Sequence, residues 1–201
     1  MRIPVTGTGG AGGGVCDENS CKQVGTVPLE RWYSTTNSEQ AAGATTRPSV
    51  DTIYAEPFVV ARAGSIDAMS IYQWSGAAAG NMRLAIYAAT GPAALYPSAL
   101  VVETGDISTA ADGYKQVAVA QALTANRLYW LAFNCSRGTD LFYWNNSIKP
   151  TLLGISANLV DFYHHVTVAS VYGAFPNPFP AGATRQVTAT TMPGIWVRWS
   201  A

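Results

Sequence analysis

Charge is scarce in this chain. Of its 201 residues only 12% are charged, 12 basic against 12 acidic, about half the ~25% of an ordinary soluble domain. Lysine occurs only at Lys22, Lys115 and Lys149. Zero net charge removes the long-range field that draws phosphate backbones or anionic lipid, so neither nucleic acid nor a membrane is an expected partner. Apolar runs are short as well. None approaches the ~18 residues of a membrane span, and Met1-Arg2 is not followed by the apolar stretch of roughly 7–15 residues that marks a secretory signal. The chain is therefore expected to stay in the compartment where it is made. Cysteine is limited to Cys16, Cys21 and Cys135, an odd number that argues against a disulfide framework. Cys135 follows the apolar run from Tyr129 to Phe133 and reads as a buried thiol; Cys16 and Cys21 read as free thiols, with a small closed loop as the alternative. Helical signal is weak, since Ala-rich pieces such as Ala41-Ala42-Gly43-Ala44 are short and broken by Gly or Pro.

What is present is apolar and aromatic: 48% hydrophobic residues, 11% aromatic, 19 Gly and 11 Pro. That composition excludes a disordered chain, and the length suffices for one core that buries roughly 70% of the unfolded surface. Residues 1–50 differ from the rest. Gly7 to Gly14 hold six glycines in eight positions, a tract that cannot order on its own contacts, so these residues read as an extended arm to be held by neighbouring copies or another subunit.

From Asp51 onward, short β-branched and aromatic runs alternate with Gly, Pro, Asn and Asp, the pattern of many short strands. The candidates are Pro57–Arg62, Ser65–Trp74, Met82–Ala89, Ala99–Thr104, Tyr114–Gln121, Leu128–Cys135, Val166–Tyr172, Arg185–Thr191 and Ile195–Trp199. Leu84 and Ile86 share one face, with Arg83, Ala85 and Tyr87 on the other; Lys115, Val117 and Val119 likewise oppose Gln116, Ala118 and Ala120. Tyr129, Leu131 and Phe133 alternate with Trp130 and Ala132, so both faces are apolar and this strand is expected at the centre of its sheet, with Trp130 in the core. Strands without intervening helices predict an all-β fold, an antiparallel β-sandwich of jelly-roll type over residues 51–201. The run Phe175-Pro176-Asn177-Pro178-Phe179-Pro180 lacks ladder donors and reads as a long surface loop.

Chemical motifs are few. Gly7-Thr8-Gly9-Gly10-Ala11-Gly12 matches G-x-G-x-x-G, with Glu30 near the spacing of a ribose-binding acid, but no strand precedes it and no helical period follows, so no dinucleotide site is expected. Cys16, Cys21, His164 and His165 lack zinc spacing, because adjacent histidines on a strand point to opposite faces; the pair reads as a strand-edge or subunit contact. No G-x-S-x-G elbow occurs. Paired carboxylates for glycoside hydrolysis cannot be read from spacing, and Asp106, Asp112 and Asp140 flank turns. No catalytic residue, metal site or cofactor is therefore assigned, and the chain reads as non-enzymatic. The remaining resource is aromatic. Trp74, after Tyr72-Gln73, and Tyr143-Trp144, before Asn145-Asn146, place flat rings beside amide side chains, a combination suited to stacking on sugars; a role in a core or oligomer interface is the competing reading.

The stretches Gly80-Asn81-Met82-Arg83-Leu84-Ala85-Ile86-Tyr87-Ala88-Ala89-Thr90-Gly91, Leu100-Val101-Val102-Glu103-Thr104-Gly105 and Leu128-Tyr129-Trp130-Leu131-Ala132-Phe133 resemble β-sandwich domains of tailed-bacteriophage structural proteins. The resemblance covers roughly residues 52–145. It implies a virion component, assembled in the host cytoplasm, of the capsid-decoration, head-fibre or tail-adhesin kind. Such a component would attach through its arm, where Gly9, Gly12, Val15, Trp32 and Tyr33 are the candidate contacts, and present the sandwich outward. Its expected partners are other virion proteins and copies of itself in a symmetric oligomer, a trimer being one form. The alternative is a carbohydrate-binding module recognising host surface glycan through Trp74, Tyr143 and Trp144.

Overall fold

The computed structural model describes residues 32–34, 45–60, 63–75, 79–91, 94–138, 140–142, 163–186 and 192–200. Every regular element among them is a strand: β1 Trp32–Ser34, β2 Thr45–Thr46, β3 Thr52–Val60, β4 Gly64–Ser75, β5 Asn81–Gly91, β6 Ala94–Glu103, β7 Ile107–Ser108, β8 Gly113–Leu123, β9 Arg127–Cys135, β10 Asp140–Phe142, β11 His165–Ala169, β12 Thr184–Gln186 and β13 Ile195–Trp199. The protein is all-β, and all of the pairings are antiparallel.

Two sheets form. In sheet A, β8 lines one edge of β4, while β13 and β10 follow one another along its other edge, with β1 and β2 outside them. Sheet B runs β12-β11-β3-β9-β5, then β6 and β7 along the far edge of β5. The sheets enclose one core: Ile66, Met69, Ile71, Val197 and Trp199 from sheet A meet Leu84, Ile86, Leu131 and Phe133 from sheet B. This packing is compatible with a β-sandwich.

Period-2 patterning explains sheet B. Leu84 and Ile86 enter the inter-sheet core, whereas Ala85 and Tyr87 enter a second apolar cluster on the outer side of the sheet. β9 divides likewise, Leu131 and Phe133 inward and Trp130 and Ala132 outward, all fully buried. A strand apolar on both faces belongs between two others, and β9 lies between β3 and β5. β3 starts at Thr52, earlier than the sequence suggests, and runs through Pro57. The β11 ladder ends at Ala55, so Pro57 is paired only with Trp130 of β9 and its missing N–H breaks no bond to β11.

The Pro-rich segment is irregular and lies at the surface, as expected, with Asn177 and Pro178 exposed, but its two phenylalanines are buried. After β11 the chain crosses the outer face of sheet B as a strap, residues 170–183, and inserts Phe175 and Phe179, both nearly inaccessible, against Tyr87. Pro176, Pro178 and Pro180 carry no N–H, and at two of them the strap bonds through its carbonyl. The Tyr87 hydroxyl donates to the Pro176 carbonyl at 2.8 Å and the Tyr96 hydroxyl to the Pro180 carbonyl at 2.7 Å. The amides that remain are used too: Phe179 N–H donates to Ser98 O at 2.8 Å and Ala183 N–H to the Tyr96 hydroxyl at 3.0 Å. The sequence reading missed this because a scarcity of donors excludes a central strand but not a buried cover.

The histidines also differ from expectation. His164 and His165 are buried rather than placed at an edge, and His165 opens β11, which is flanked by β12 and β3. Cys135 is fully buried, as expected, and burial pushes its thiol up to about 11. Trp32–Ser34 and Thr45–Thr46, read from sequence as parts of the arm, are strands of sheet A. Cys16 and Cys21 lie outside the described residues.

Candidate functional site

The two outer faces are finished differently. On sheet B, the strap seals the apolar surface and is latched at its start by polar groups. Asp51 Oδ1 accepts the Tyr172 N–H at 2.8 Å, and Asp106 Oδ1 accepts the Tyr172 hydroxyl at 2.8 Å and Arg83 Nε at 2.6 Å. Glu103 Oε2 accepts the Phe175 N–H at 2.9 Å and lies 3.5 Å from Arg83 Nη1. The Arg83 hydrogen bond, aided by that of Tyr172, holds the Asp106 carboxyl below its usual range. Burial, then the bond to Asp106, pushes the Tyr172 hydroxyl up to about 12. These carboxylates hold a loop in place, and an Asp106 kept ionised is a poor proton donor at neutral pH.

Sheet A has no comparable cover among the described residues. Alternation sends Met69 and Ile71 of β4, Val197 of β13 and Val117 of β8 toward the core. Their neighbours Ser70, Tyr72, Trp74, Trp196, Arg198, Tyr114 and Gln116 are thereby placed on the opposite face. Register then assembles an aromatic row from three strands. Tyr72 lies directly opposite Tyr114, with ring centroids 4.7 Å apart. Trp74 follows Tyr72 along β4 at 6.1 Å, and Trp196, opposite Ser70, reaches Tyr114 at 6.4 Å. These pairs meet edge to face. Trp74 is 51% exposed and Tyr114 74% exposed.

One ion pair borders the row. Arg198 donates from Nε and Nη2 to the two oxygens of Asp67, at 2.7 and 3.1 Å, with its guanidinium 5.5 Å from the Trp32 ring centroid. A fork-to-fork pair neutralises its own charge, so the face offers rings and Gln116 rather than a net field, Ser70 being buried.

Of the sequence candidates, Trp74 stands in this row, Trp32 lies beside Arg198 at its border, and Tyr33 packs against the core. Tyr143, Trp144, Gly9, Gly12 and Val15 lie outside the described residues. Tyr72, Tyr114 and Trp196 were not selected as site residues; the available signal was their outward phase relative to Ile71, Val117 and Val197 on their own strands. Among the described residues no group of three His, Cys, Asp or Glu side chains is placed to hold a metal ion, and no helix is long and apolar enough to cross a membrane. No protein-family model matches the chain, and no curated protein sequence matches it.

Proposed function

We propose that the protein is a non-enzymatic virion structural component, a jelly-roll-type β-sandwich carried on the particle by its N-terminal arm and displayed outward. The observation that carries this reading is the asymmetry of the two outer faces: sheet B is sealed by its own strap, while the aromatic row of sheet A, with Trp74 and Tyr114 exposed, has no such cover among the described residues. An open apolar face on an otherwise finished domain marks a contact surface. The three stretches that resemble phage proteins support the setting, because they become β5, the end of β6 and β9, neighbours in one sheet. The test is where the chain travels. Particles banded from the source culture should hold it in fixed ratio to the major capsid protein, and deleting residues 1–30, which leaves β1 intact, should strip it from them. Recovery only in the unassembled fraction would refute the reading.

The exposed rings of Trp74 and Tyr114 favour a second reading, recognition of host surface glycan by the same face. Sugar faces stack on aromatic rings, and hot-spot aromatics at recognition surfaces typically carry more than ~1 kcal/mol each. Against a panel of neutral oligosaccharides, Trp74→Ala should weaken saturable binding about tenfold with an unchanged thermal midpoint. A panel without any binder, or a Trp74→Ala variant that binds as well, would remove this reading.

A further inference from the structure

Most tyrosine hydroxyls of the described residues are committed. Tyr87 donates to Pro176 O, Tyr96 to Pro180 O and Tyr172 to Asp106 Oδ1, while the hydroxyls of Tyr54 and Tyr129 accept the N–H groups of Ser49 and Thr124. Tyr72 and Tyr114 differ. Among the described residues no hydrogen bond holds either hydroxyl, and these are the two tyrosines whose rings meet. The sheet itself brings them together. Tyr72 of β4 and Tyr114 of β8 are direct cross-strand partners, in a stretch whose register runs unbroken from Ala68↔Ala118 to Gln73↔Gly113. Both stand on the outer face, where directly opposed Cβ atoms lie about 4.5–5.5 Å apart. Their ring centroids are 4.7 Å apart at an interplanar angle of 61°. Tyr114 is largely exposed and Tyr72 half-buried, so an oxidant in solvent reaches the first ring and the second lies against it.

We propose that Tyr72 and Tyr114 form an oxidative modification site, at which the two rings are joined as dityrosine and β8 is stapled to β4. The co-reactant is a peroxide activated by a peroxidase, which takes one electron at a time. Each phenol gives up an electron and its hydroxyl proton. The two phenoxyl radicals then pair their unpaired electrons in a new carbon–carbon bond between ring carbons ortho to the oxygens, and the proton on each of those carbons moves to its own oxygen to restore the phenol. Two electrons and two protons leave in all, and they reduce one hydrogen peroxide to two waters. The cross-link closes a covalent loop from residue 72 to residue 114, which restricts the unfolded chain and raises the thermal midpoint, as a disulfide does. It also makes one unit of the two rings at the middle of the aromatic row. Tyr87, by contrast, is buried with its hydroxyl bonded to the strap and phenylalanines against its ring.

The test treats the full chain, dilute enough that chains seldom meet, with peroxidase and limiting hydrogen peroxide. The band of single-chain mass should acquire the blue fluorescence of dityrosine. Its digest should contain the peptides of residues 72 and 114 joined with the loss of two hydrogens, and its thermal midpoint should rise. Tyr72→Phe and Tyr114→Phe keep a ring in each place but remove the phenol. Each should reduce the fluorescence of the single-chain band to background, with the thermal midpoint before oxidation close to that of the parent. Tyr163→Phe should leave the yield as it is. A single-chain band without dityrosine fluorescence, a link mapped to a different pair of tyrosines, fluorescence that survives either Phe substitution, or a linked chain no more stable than its parent would each overturn the proposal.

Discussion

At the scale of single residues, the polar chemistry is concentrated in ion pairs that tie distant segments together. Asp106 joins Arg83 of β5 to Tyr172 of the strap, and Asp140 joins Arg47 to Ser75. Both carboxyls are held below their ordinary range, Asp106 first by Arg83 and then by Tyr172, Asp140 first by Arg47 and then by Ser75. A carboxyl whose folded pKa is depressed contributes stability that is present above its unfolded value, ~3.9, and is lost as pH falls through the folded value. Tyr172 has the opposite sense. Its folded value of about 12 exceeds the ordinary ~10, so its contribution is complete below pH ~10 and declines as pH rises toward the folded value. Urea midpoints should therefore be flat between the two limits and fall at both ends. Asp106→Asn should lower the midpoint at neutral pH and make the acid limb shallower, and Tyr172→Phe should do the same to the alkaline limb. Equal limbs in variant and parent would show that the latch does not act in folding.

At the scale of elements, the strap is the part whose role could not be inferred from periodicity. Its aromatic side chains occupy the place a third layer would hold, with Phe179 edge-on to Tyr87 at 5.0 Å and to Tyr96 at 5.8 Å. Deleting a buried ring costs on the order of 3 kcal/mol. Phe179→Ala should lower stability by about that amount and open residues 170–183 to protease before any strand is cut. Simultaneous cleavage throughout would mean that strap and sheet unfold as one unit. Most strands were legible beforehand because alternation is a local property. β5, β8, β9 and β13 are found where Leu84-Ala85-Ile86, Val117-Ala118-Val119, Tyr129–Phe133 and Ile195–Trp199 place them. β1, β2, β7 and β10 were not, since two or three residues carry no period and are strands only because a longer neighbour pairs with them. Close packing also constrains residues far apart in the chain: a Cβ on Gly80 would meet Arg137 Cβ at 2.7 Å, so any larger residue there forces the two segments apart.

At the scale of the molecule, the low charge and the unequal faces act together. With zero net charge and Arg198 bound to Asp67, a ligand on the face of sheet A meets rings and dipoles rather than a field. On the glycan reading, affinity should change less than about twofold between ~50 and ~500 mM salt, because screening acts on net charges and not on ring stacking. A steep loss with salt would point instead to an anionic partner. Removal of residues 1–30 should release the chain from the particle while the two sheets stay folded.

The sequence by itself determined the class of the protein: all-β, antiparallel, one strand apolar on both faces, a neutral surface and an aromatic-rich chain. Those properties follow from composition and from a two-residue period, which the longer strands carry whatever their neighbours are. Tertiary structure alone decided which rings meet. Tyr72, Tyr114 and Trp196 become a row only through the β4–β8 and β4–β13 registers, and Phe175 and Phe179 find Tyr87 only because the strap turns at Asp51 and crosses sheet B. Register and crossing direction are set by the mutual burial of residues far apart in the chain, a condition that no local window contains.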